Sequence, residues 1–485
     1  MGLLVMKFGG TSVGNAQCLR RAAELVRRTP AGKHPVVVVS AMGGVTDRIA
    51  EALQLAKSGA GSDASAVCEA LRQRHDQALA DLFDDGARAP VKAAVDKVID
   101  TLADVCSGVS KVRALPPQIS DMALSLGEEA SAIILAAHLR DLGTPAEFVD
   151  SAQCVITDAK FGEATPDYEA TQRAARALLL PMYDKGVVPV ITGYRGATAS
   201  HQLTTLGRGG SDFSATLLGA ALGAEEIWIW TDVDGVLSGD PRICTDAFLL
   251  EEVTFGEAVE LSHYGAKVIH QRAIQPARDA GIPVWIKNSF RPEATGTRIA
   301  VGPSSDARPV KAVTAVNRAA LISVSARQDV HPAEIFGRLL MRIAAEHVDL
   351  LFSVQSSPHG VLLAVRESDE KHVVDVIRRL FRNEFRHGML EPVDVRRNIA
   401  VIAVLGEAMK GRPGILAHLF TSVAEHEVSV IAVAQGASEV SICFAVPSAA
   451  SQTIVQAVHD DLCLGLDRGI QPAASAPSMC QGAMS

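Results

Sequence analysis

The stretch Leu3-Leu4-Val5-Met6-Lys7-Phe8-Gly9-Gly10-Thr11-Ser12-Val13 decides how this chain is read. Four apolar residues make a buried strand that delivers a lysine and opens into a glycine turn, ahead of a predicted helix from Ala16 to Arg28. Two glycines let the backbone approach a ligand closely and take φ > 0 without a steric penalty. Amides at the start of the next helix would point at an anion, and the lysine adds a point charge for phosphate oxygens. The run therefore predicts phosphate chemistry. It is not a Walker A loop, where the lysine follows the glycines, and Gly9-Gly10-Thr11-Ser12-Val13-Gly14 does not supply G-x-G-x-x-G. Taken alone, it reads more simply as a strand, a turn and a surface lysine, so its partners elsewhere in the chain carry the argument.

Up to about Thr297, short β-branched runs alternate with alanine- and leucine-rich periodic segments. Val36–Val39, Val187–Ile191, Glu226–Trp230 and Val284–Ile286 read as buried strands, with helices from Ala130 to Leu142, Tyr168 to Tyr183 and Asp212 to Leu222. This alternation predicts an α/β fold with a mainly parallel sheet sandwiched by helices, whose ligands sit at the carboxyl ends of the strands. Lys7, Ser40, Thr231 and Asn288 fall at such ends. After Gly302-Pro303-Ser304-Ser305-Asp306 an internal repeat begins, with a period of about eighty residues. Leu321–Val324, a helix from Pro332 to His347 and Leu350–Gln355 recur as Ile399–Val404, Pro413 to His426 and Val428–Gln435. Each copy continues into a further strand, Gly360–Val365 or Ser441–Val446, and another helix, the order of a ferredoxin-like unit. The Ala-, Ser-, Pro- and Gln-rich tail reads as disordered.

The 485 residues carry 48% hydrophobic and 21% charged side chains and a net charge of -9, values of an ordinary folded chain that disfavour a nucleic-acid binder. Eight scattered cysteines form no C-x-x-C pair and no metal-spaced cluster, which suits a reduced, cytoplasmic chain without a dedicated metal site. No signal peptide or long apolar run argues for a membrane role.

Five further segments suit a site for ATP and a small charged metabolite. Ser40-Ala41-Met42-Gly43-Gly44-Val45-Thr46-Asp47 ends a strand with hydroxyls and glycines; its plain reading is a connection with an N-cap at Thr46. Ser125-Leu126-Gly127-Glu128-Glu129 puts carboxylates at a helix start, where the macrodipole alone would favour them. In Thr204-Thr205-Leu206-Gly207-Arg208-Gly209-Gly210-Ser211-Asp212, an arginine enclosed by three glycines is costly to order and gives no packing in return. Its guanidinium suits a carboxylate, and Asp212 suits an ammonium. Thr231-Asp232-Val233-Asp234-Gly235, followed by Gly239-Asp240-Pro241-Arg242, suits adenine or ribose contacts or simply a turn after a strand. Tyr264-Gly265-Ala266-Lys267-Val268-Ile269-His270 supplies a second lysine, which by itself reads as an exposed helical residue.

These segments, in this order, resemble the aspartate kinases of the amino-acid kinase superfamily, most of all the kinase part of threonine-sensitive enzymes fused to homoserine dehydrogenase. The resemblance spans residues 1 to about 465, and the repeats resemble paired ACT domains. It implies a catalytic domain over 1–300, ACT domains over 313–395 and 396–468, and a disordered tail over 469–485, with no dehydrogenase domain following. The implied reaction moves the γ-phosphoryl group of Mg·ATP to the side-chain carboxylate of L-aspartate, with no tightly bound prosthetic group. The implied roles are Lys7 and Asp212 in catalysis, and Ser40, Thr46, Glu128, Arg208, Gly210 and Ser211 on aspartate. Lys7, Gly9, Gly10, Thr231, Asp232, Asp240, Arg242 and Lys267 fall to ATP, and Gln355 and Gln435 to an amino-acid effector: threonine, lysine, both or neither. A homodimer or dimer of dimers through the ACT domains is implied too. Departures fall at Gln271, where proline is common, and in the first repeat at Gln328-Asp329-Val330-His331-Pro332 and Ser356-Ser357-Pro358-His359. A kinase for another amino acid such as glutamate, or a silent amino-acid sensor, are the competing readings.

Overall fold

The structure is a computed structural model that describes residues 2–266, 269–302, 306, 308–327, 332–357 and 360–464, the side chains of 332, 356 and 357 excepted. It divides into two compact units: Met1–Val236 with Leu249–Ser262 and Val268–Ser304, and Leu237–Phe248 with His263–Lys267 and Ser305–Ser485.

The first unit is built on an eight-stranded sheet of β1 (Gly2–Phe8), β2 (Lys33–Val39), β3 (Ala146–Val149), β4 (Val188–Thr192), β5 (Glu226–Thr231), β6 (Glu252–Thr254), β7 (Val284–Asn288) and β8 (Thr297–Ala300). Their spatial order is β6-β8-β7-β5-β1-β2-β4-β3, parallel at every pairing except β7 with β8. Leu4, Val5, Met6 and Phe8 of β1 are fully buried, as are Val37, Val38 and Val39 of β2. Both sheet faces are therefore covered, which is why these strands read as continuous apolar runs and not as alternating ones. Register places Phe8 between Val39 and Trp230, so the ends of β1, β2 and β5 open on the same side.

Between β2 and β3 the chain forms the helices Val45–Ser58, Gly61–Leu82, Asp85–Val112, Pro117–Leu124 and Leu126–Asp141. The stretch Pro117–Asp141 is long and apolar enough to cross a membrane by length and composition, but 78% of its most apolar part is buried within this fold, as in the core helix of a globular protein.

The second unit carries a six-stranded antiparallel sheet of β9 (Ala312–Ser325), β10 (Leu350–Ser357), β11 (Gly360–Arg366), β12 (Asp394–Leu405), β13 (Ala432–Gln435) and β14 (Ser441–Pro447), in the order β10-β11-β9-β12-β14-β13. The repeat is real, and its two copies share one sheet joined by β9 and β12. The second half of β9 pairs with β11 of its own repeat, while its first half, Ala312–Val316, lies against Val401–Leu405 of β12. The start of β12 closes the first repeat on itself, with Asp394–Arg396 opposite Leu321–Ser323. The second repeat thus takes its closing strand from the segment that opens β9, whereas the first keeps its own, and the division between 395 and 396 falls inside β12. The apolar clusters follow this pairing: Val310 and Val313 pack with Ile402, Leu419, Phe444 and Ile454, and Ile322 and Val324 with Leu339, Leu363 and Ile377. The helix read from Pro413 begins at Ile415, because Gly411 and Gly414 take positive φ and hold the preceding turn out of the helix. Segments 328–331, 358–359 and 469–485 lie outside the described residues.

Candidate active site

At the carboxyl ends of β1 and β2, a cleft of about 410 Å³ is lined by Lys7, Ser40, Thr46, Glu128, Gly162, Tyr194, Gly207, Arg208, Gly209, Gly210, Ser211 and Asp212. Six separate stretches of sequence meet there, and every residue assigned above to aspartate or to catalysis is among them.

Lys7 is 8% exposed, less than the surface lysine of the plain reading of its segment would be, and its Nζ pairs with Asp212 Oδ1 at 2.5 Å. The glycines behind it do not work through positive φ. Gly9 has φ −71 and gives its N–H to the Trp230 carbonyl at 3.1 Å, which commits an amide expected to face phosphate. Gly10 matters for close approach: a Cβ there would lie 3.0 Å from the Ala41 carbonyl oxygen and 3.3 Å from the Gly43 Cα. The two glycine turns touch backbone to backbone, with Gly43 donating to the Gly10 carbonyl at 2.9 Å. Nor does the first helix lend its end to the site as expected. A 3-10 turn, Gly10–Val13, intervenes, the helix runs Ala16–Arg27, and Asn15 caps it by accepting from the Cys18 N–H. Thr46 is not an N-cap; Gly44, at φ 80, holds that position and Thr46 stands inside the helix Val45–Ser58.

Glu128 and Glu129 part company at the start of the helix Leu126–Asp141. Glu129 accepts from Arg195 Nη2 at 2.8 Å, and Arg195 also donates to Asp150 at 2.9 Å and to the Ser125 hydroxyl at 3.0 Å. That guanidinium is 2% exposed and bonded through all three of its nitrogens, a structural tie. Glu128 is 3% exposed and its Oε2 has no hydrogen-bond partner among the described residues. Burial pushes its carboxyl up to about 7, against the pull of the Ala41 and Glu128 backbone amides and of Arg195 and Lys7. A buried carboxylate left like this on a cleft wall calls for a cation. Gly127 lets the helix press in, since a Cβ there would meet the Ala41 side chain at 2.7 Å.

Arg208 is exposed on the cleft rim between Gly207 and Gly209, whose φ of 77 and 70 only glycine adopts without strain. Among the described residues no carboxylate pairs with it. Gly209 then caps the 13-residue helix Gly210–Leu222, which puts Ser211 and Asp212 in the first turn, facing the cleft with the positive end of a helix. The Ser211 hydroxyl lies 3.4 Å from that of Ser40.

Three contributors were not read from the sequence. Tyr194 follows β4 at φ 68, and Gly210 makes room for its ring, which a Cβ would approach to 2.4 Å. Asp121 accepts from the Gly162 and Thr205 amides, both at 2.8 Å, pinning the Gly162 loop beside the cleft; burial raises its pKa. Arg195 is the third. Gly193-Tyr194-Arg195-Gly196, directly after a buried strand, was the available signal for two of them.

The residues read as nucleotide contacts are more dispersed. Thr231 closes β5 beside the Gly9 turn, its carbonyl held by the Ser289 amide and hydroxyl at 2.9 and 3.0 Å. Asp232 is exposed next to it. Neither lines the cleft. Asp240 and Arg242 belong to the second unit, where they grip each other at 2.9 and 2.6 Å, and they too are absent from the cleft lining. Lys267 lies outside the described residues. Of the effector residues, Gln435 lines a cavity of about 600 Å³ in the second repeat, with Arg412, Pro413, Ile415 and Glu439, and Gln355 is exposed on β10. Among the described residues no three His, Cys, Asp or Glu side chains group as metal ligands.

A mainly parallel sheet with a lysine–aspartate pair, touching glycine turns and an unpaired carboxylate and arginine at its strand ends defines a protein class. Residues 2–288 match the amino acid kinase family, and the chain belongs to it. Within that family its branch is that of the aspartokinases, and residues 402–462 match an ACT domain. Aspartokinase 1, chloroplastic, of Arabidopsis thaliana is 32% identical over 94% of this chain and 79% of its own length. The bifunctional aspartokinase/homoserine dehydrogenase 2, chloroplastic, of the same plant is 32% identical over 94% of this chain, which spans about half (50%) of that relative. Among solved structures, E. coli aspartokinase III in complex with aspartate and ADP is similar at a TM-score of 0.80 and 26% identity, covering 95% of this chain and 99% of that one. The same enzyme in complex with lysine and aspartate gives 0.78.

Proposed function

We propose that this chain is an aspartate kinase, transferring the γ-phosphoryl group of Mg·ATP to the side-chain carboxylate of L-aspartate to give 4-phospho-L-aspartate, the first step toward lysine, threonine and methionine. The observation that carries this reading is the cleft in which a buried, unpaired Glu128 and an unpaired Arg208 flank the Lys7–Asp212 pair. An α-amino acid brings an ammonium for Glu128 and an α-carboxylate for Arg208, leaving its side-chain carboxylate near Ser40, Thr46 and Lys7.

Phosphoryl transfer passes through a loose transition state, so the protein positions groups and neutralises charge. The attacking carboxylate is already ionised at neutral pH and needs no general base. Lys7 neutralises the phosphoryl oxygens, and Asp212 holds Lys7 in place, so the ammonium falls mainly to Glu128. Gly10, with the first-turn amide at Ser211, offers N–H donors, while the Gly210 amide is committed to the Gly207 carbonyl at 3.0 Å. Gly9, Thr231, Asp232, Asp240, Arg242 and Lys267 remain on the nucleotide side of this reading, and Mg2+ enters with ATP as part of the substrate.

The domain reading is a kinase over 1–300 and ACT domains over 313–395 and 396–468, the latter holding an amino-acid effector, lysine or threonine, at Gln355 and Gln435. The relative crystallised with lysine supports an effector of that class. A homodimer or dimer of dimers in the cytoplasm completes the reading. The test is side-by-side phosphorylation of aspartate and glutamate with Mg·ATP, trapping the acyl phosphate with hydroxylamine. Hydroxamate from aspartate is expected; hydroxamate from glutamate alone, or from neither, overturns the proposal.

A further inference from the structure

Arg74 stands outside the cleft lining, yet it joins the two turns that frame the cleft. It projects from the helix Gly61–Leu82, half-buried, and its Nη2 donates to the Gly14 carbonyl at 3.1 Å and the Gly43 carbonyl at 2.8 Å. Among the described residues its hydrogen bonds go to these two carbonyls and to no carboxylate. Gly14 ends the turn that follows Lys7. Gly43 lies in the turn between Ser40 and Thr46, and a Cβ on Gly44 would sit 3.9 Å from Arg74 Nη1.

We propose that Arg74 is a positioning residue of the phosphoryl-transfer site, fixing the Gly43–Gly44 peptide so that the Gly44 N–H is held toward an anionic oxygen. In a trans peptide the C=O and N–H point in opposite directions. Holding the Gly43 carbonyl on the guanidinium therefore aims the Gly44 N–H away from Arg74. That amide has no acceptor among the described residues, whereas its neighbours are committed: Gly43 donates to Gly10, and Val45 to Met42. Gly44, at φ 80, has no Cβ to resist a flip of this peptide, and a flip would present a carbonyl oxygen where an anion must bind. Gly10 and Gly43 pack too closely for side chains, so the carbonyl held by Arg74 ties both turns at once. A guanidinium suits the task, because its fixed fork serves two carbonyls from separate segments and stays charged at every working pH.

The proposal rests on the kinase reading, and two measurements on the full chain separate their failures. In Arg74→Ala, hydrogen exchange followed by mass spectrometry is expected to speed up about tenfold or more across residues 41–46. With Mg·ATP and aspartate, kcat should fall about 10²-fold, the loss typical of one misplaced oxyanion donor, while KM for aspartate stays within about threefold. Guanidinium ion added to that variant should recover at least about fivefold of the lost kcat. Should Arg74→Ala fail to fold, Arg74→Lys is measured in its place, with smaller changes in both readouts. A kcat within about twofold of the parent, unchanged exchange at 41–46, or a loss of kcat that guanidinium does not relieve overturns the proposal. A parent protein without kinase activity would sink the function reading, while the exchange measurement still decides whether Arg74 holds the peptide.

Discussion

In the cleft, Glu128 is buried with one oxygen unpaired and Arg208 stands without a carboxylate, whereas in the second unit Arg397 grips Glu370 at 2.7 and 2.6 Å and Arg338 holds Glu384 at 2.6 Å. Both regions are rich in charge, and they differ in what completes each pair. The second unit closes its charges on one another. The cleft leaves complementary charges apart and accepts the cost of a buried carboxylate. Even neighbours divide this way: Glu129 closes on Arg195, and Glu128 waits for a ligand.

Substitutions on either side of this contrast can break or sharpen it. Lys7→Ala should reduce kcat by about 10³-fold or more, since it removes the cation at the moving phosphoryl group; it also leaves Asp212 without its partner, so a loss of about 1–3 kcal/mol in urea unfolding should accompany it. A kcat within tenfold of the parent removes Lys7 from the reaction. Arg195→Ala, on the structural side, strands Glu129 and Asp150 and should lower stability by about 3–5 kcal/mol in the same unfolding experiment. A loss below about 1 kcal/mol would show that this network is not the tie described. Arg208→Ala should raise KM for aspartate about 10²-fold with little change for ATP, and equal effects on both substrates would argue against the clamp.

Glu128→Gln separates binding from stability. With its carboxyl raised from an ordinary 4.5 to about 7, folded Glu128 keeps a proton that the unfolded chain has already lost between those values. Its contribution therefore falls as pH rises from about 4.5 to 7 and stays low above. The glutamine variant should unfold later than the parent above pH 7, by up to about 3 kcal/mol, and show no advantage near pH 4. It should also bind aspartate poorly, while the parent's KM for aspartate should climb as pH falls below 7. Thermal scans across pH that show the variant less stable throughout would contradict the unpaired state of Glu128. Gln435→Ala should have the smallest effect, weakening inhibition by lysine or threonine several-fold with kcat unchanged. Unaltered inhibition would move the effector elsewhere.

Much of the first unit was legible because its information is local. A strand buried on both faces needs an apolar run, and Val36–Val39 or Glu226–Trp230 announces one. Arg208 could be singled out because glycines flanking an arginine have no packing reason to be there. The helices between Val45 and Leu124 were less visible, as alanine-rich segments set no boundaries of their own. Arg74 and Asp121 were not visible at all. Each acts on backbone groups of distant segments, Gly14 and Gly43 in one case and Gly162 and Thr205 in the other, and such partners leave no mark in spacing.

By itself the sequence determined the mainly parallel sheet, the duplicated second unit and the set of charged residues at the strand ends, since these follow from periodicity, repetition and glycine placement. Tertiary structure alone decided which of two adjacent glutamates faces a ligand and that Gly9 spends its amide on Trp230. It also decided that Asp240 and Arg242 pair with each other and that the second repeat takes its closing strand from the segment that opens β9. Those outcomes depend on which groups meet across hundreds of residues. Burial then sets their consequences, because an unpaired charge costs little in water and much inside a protein.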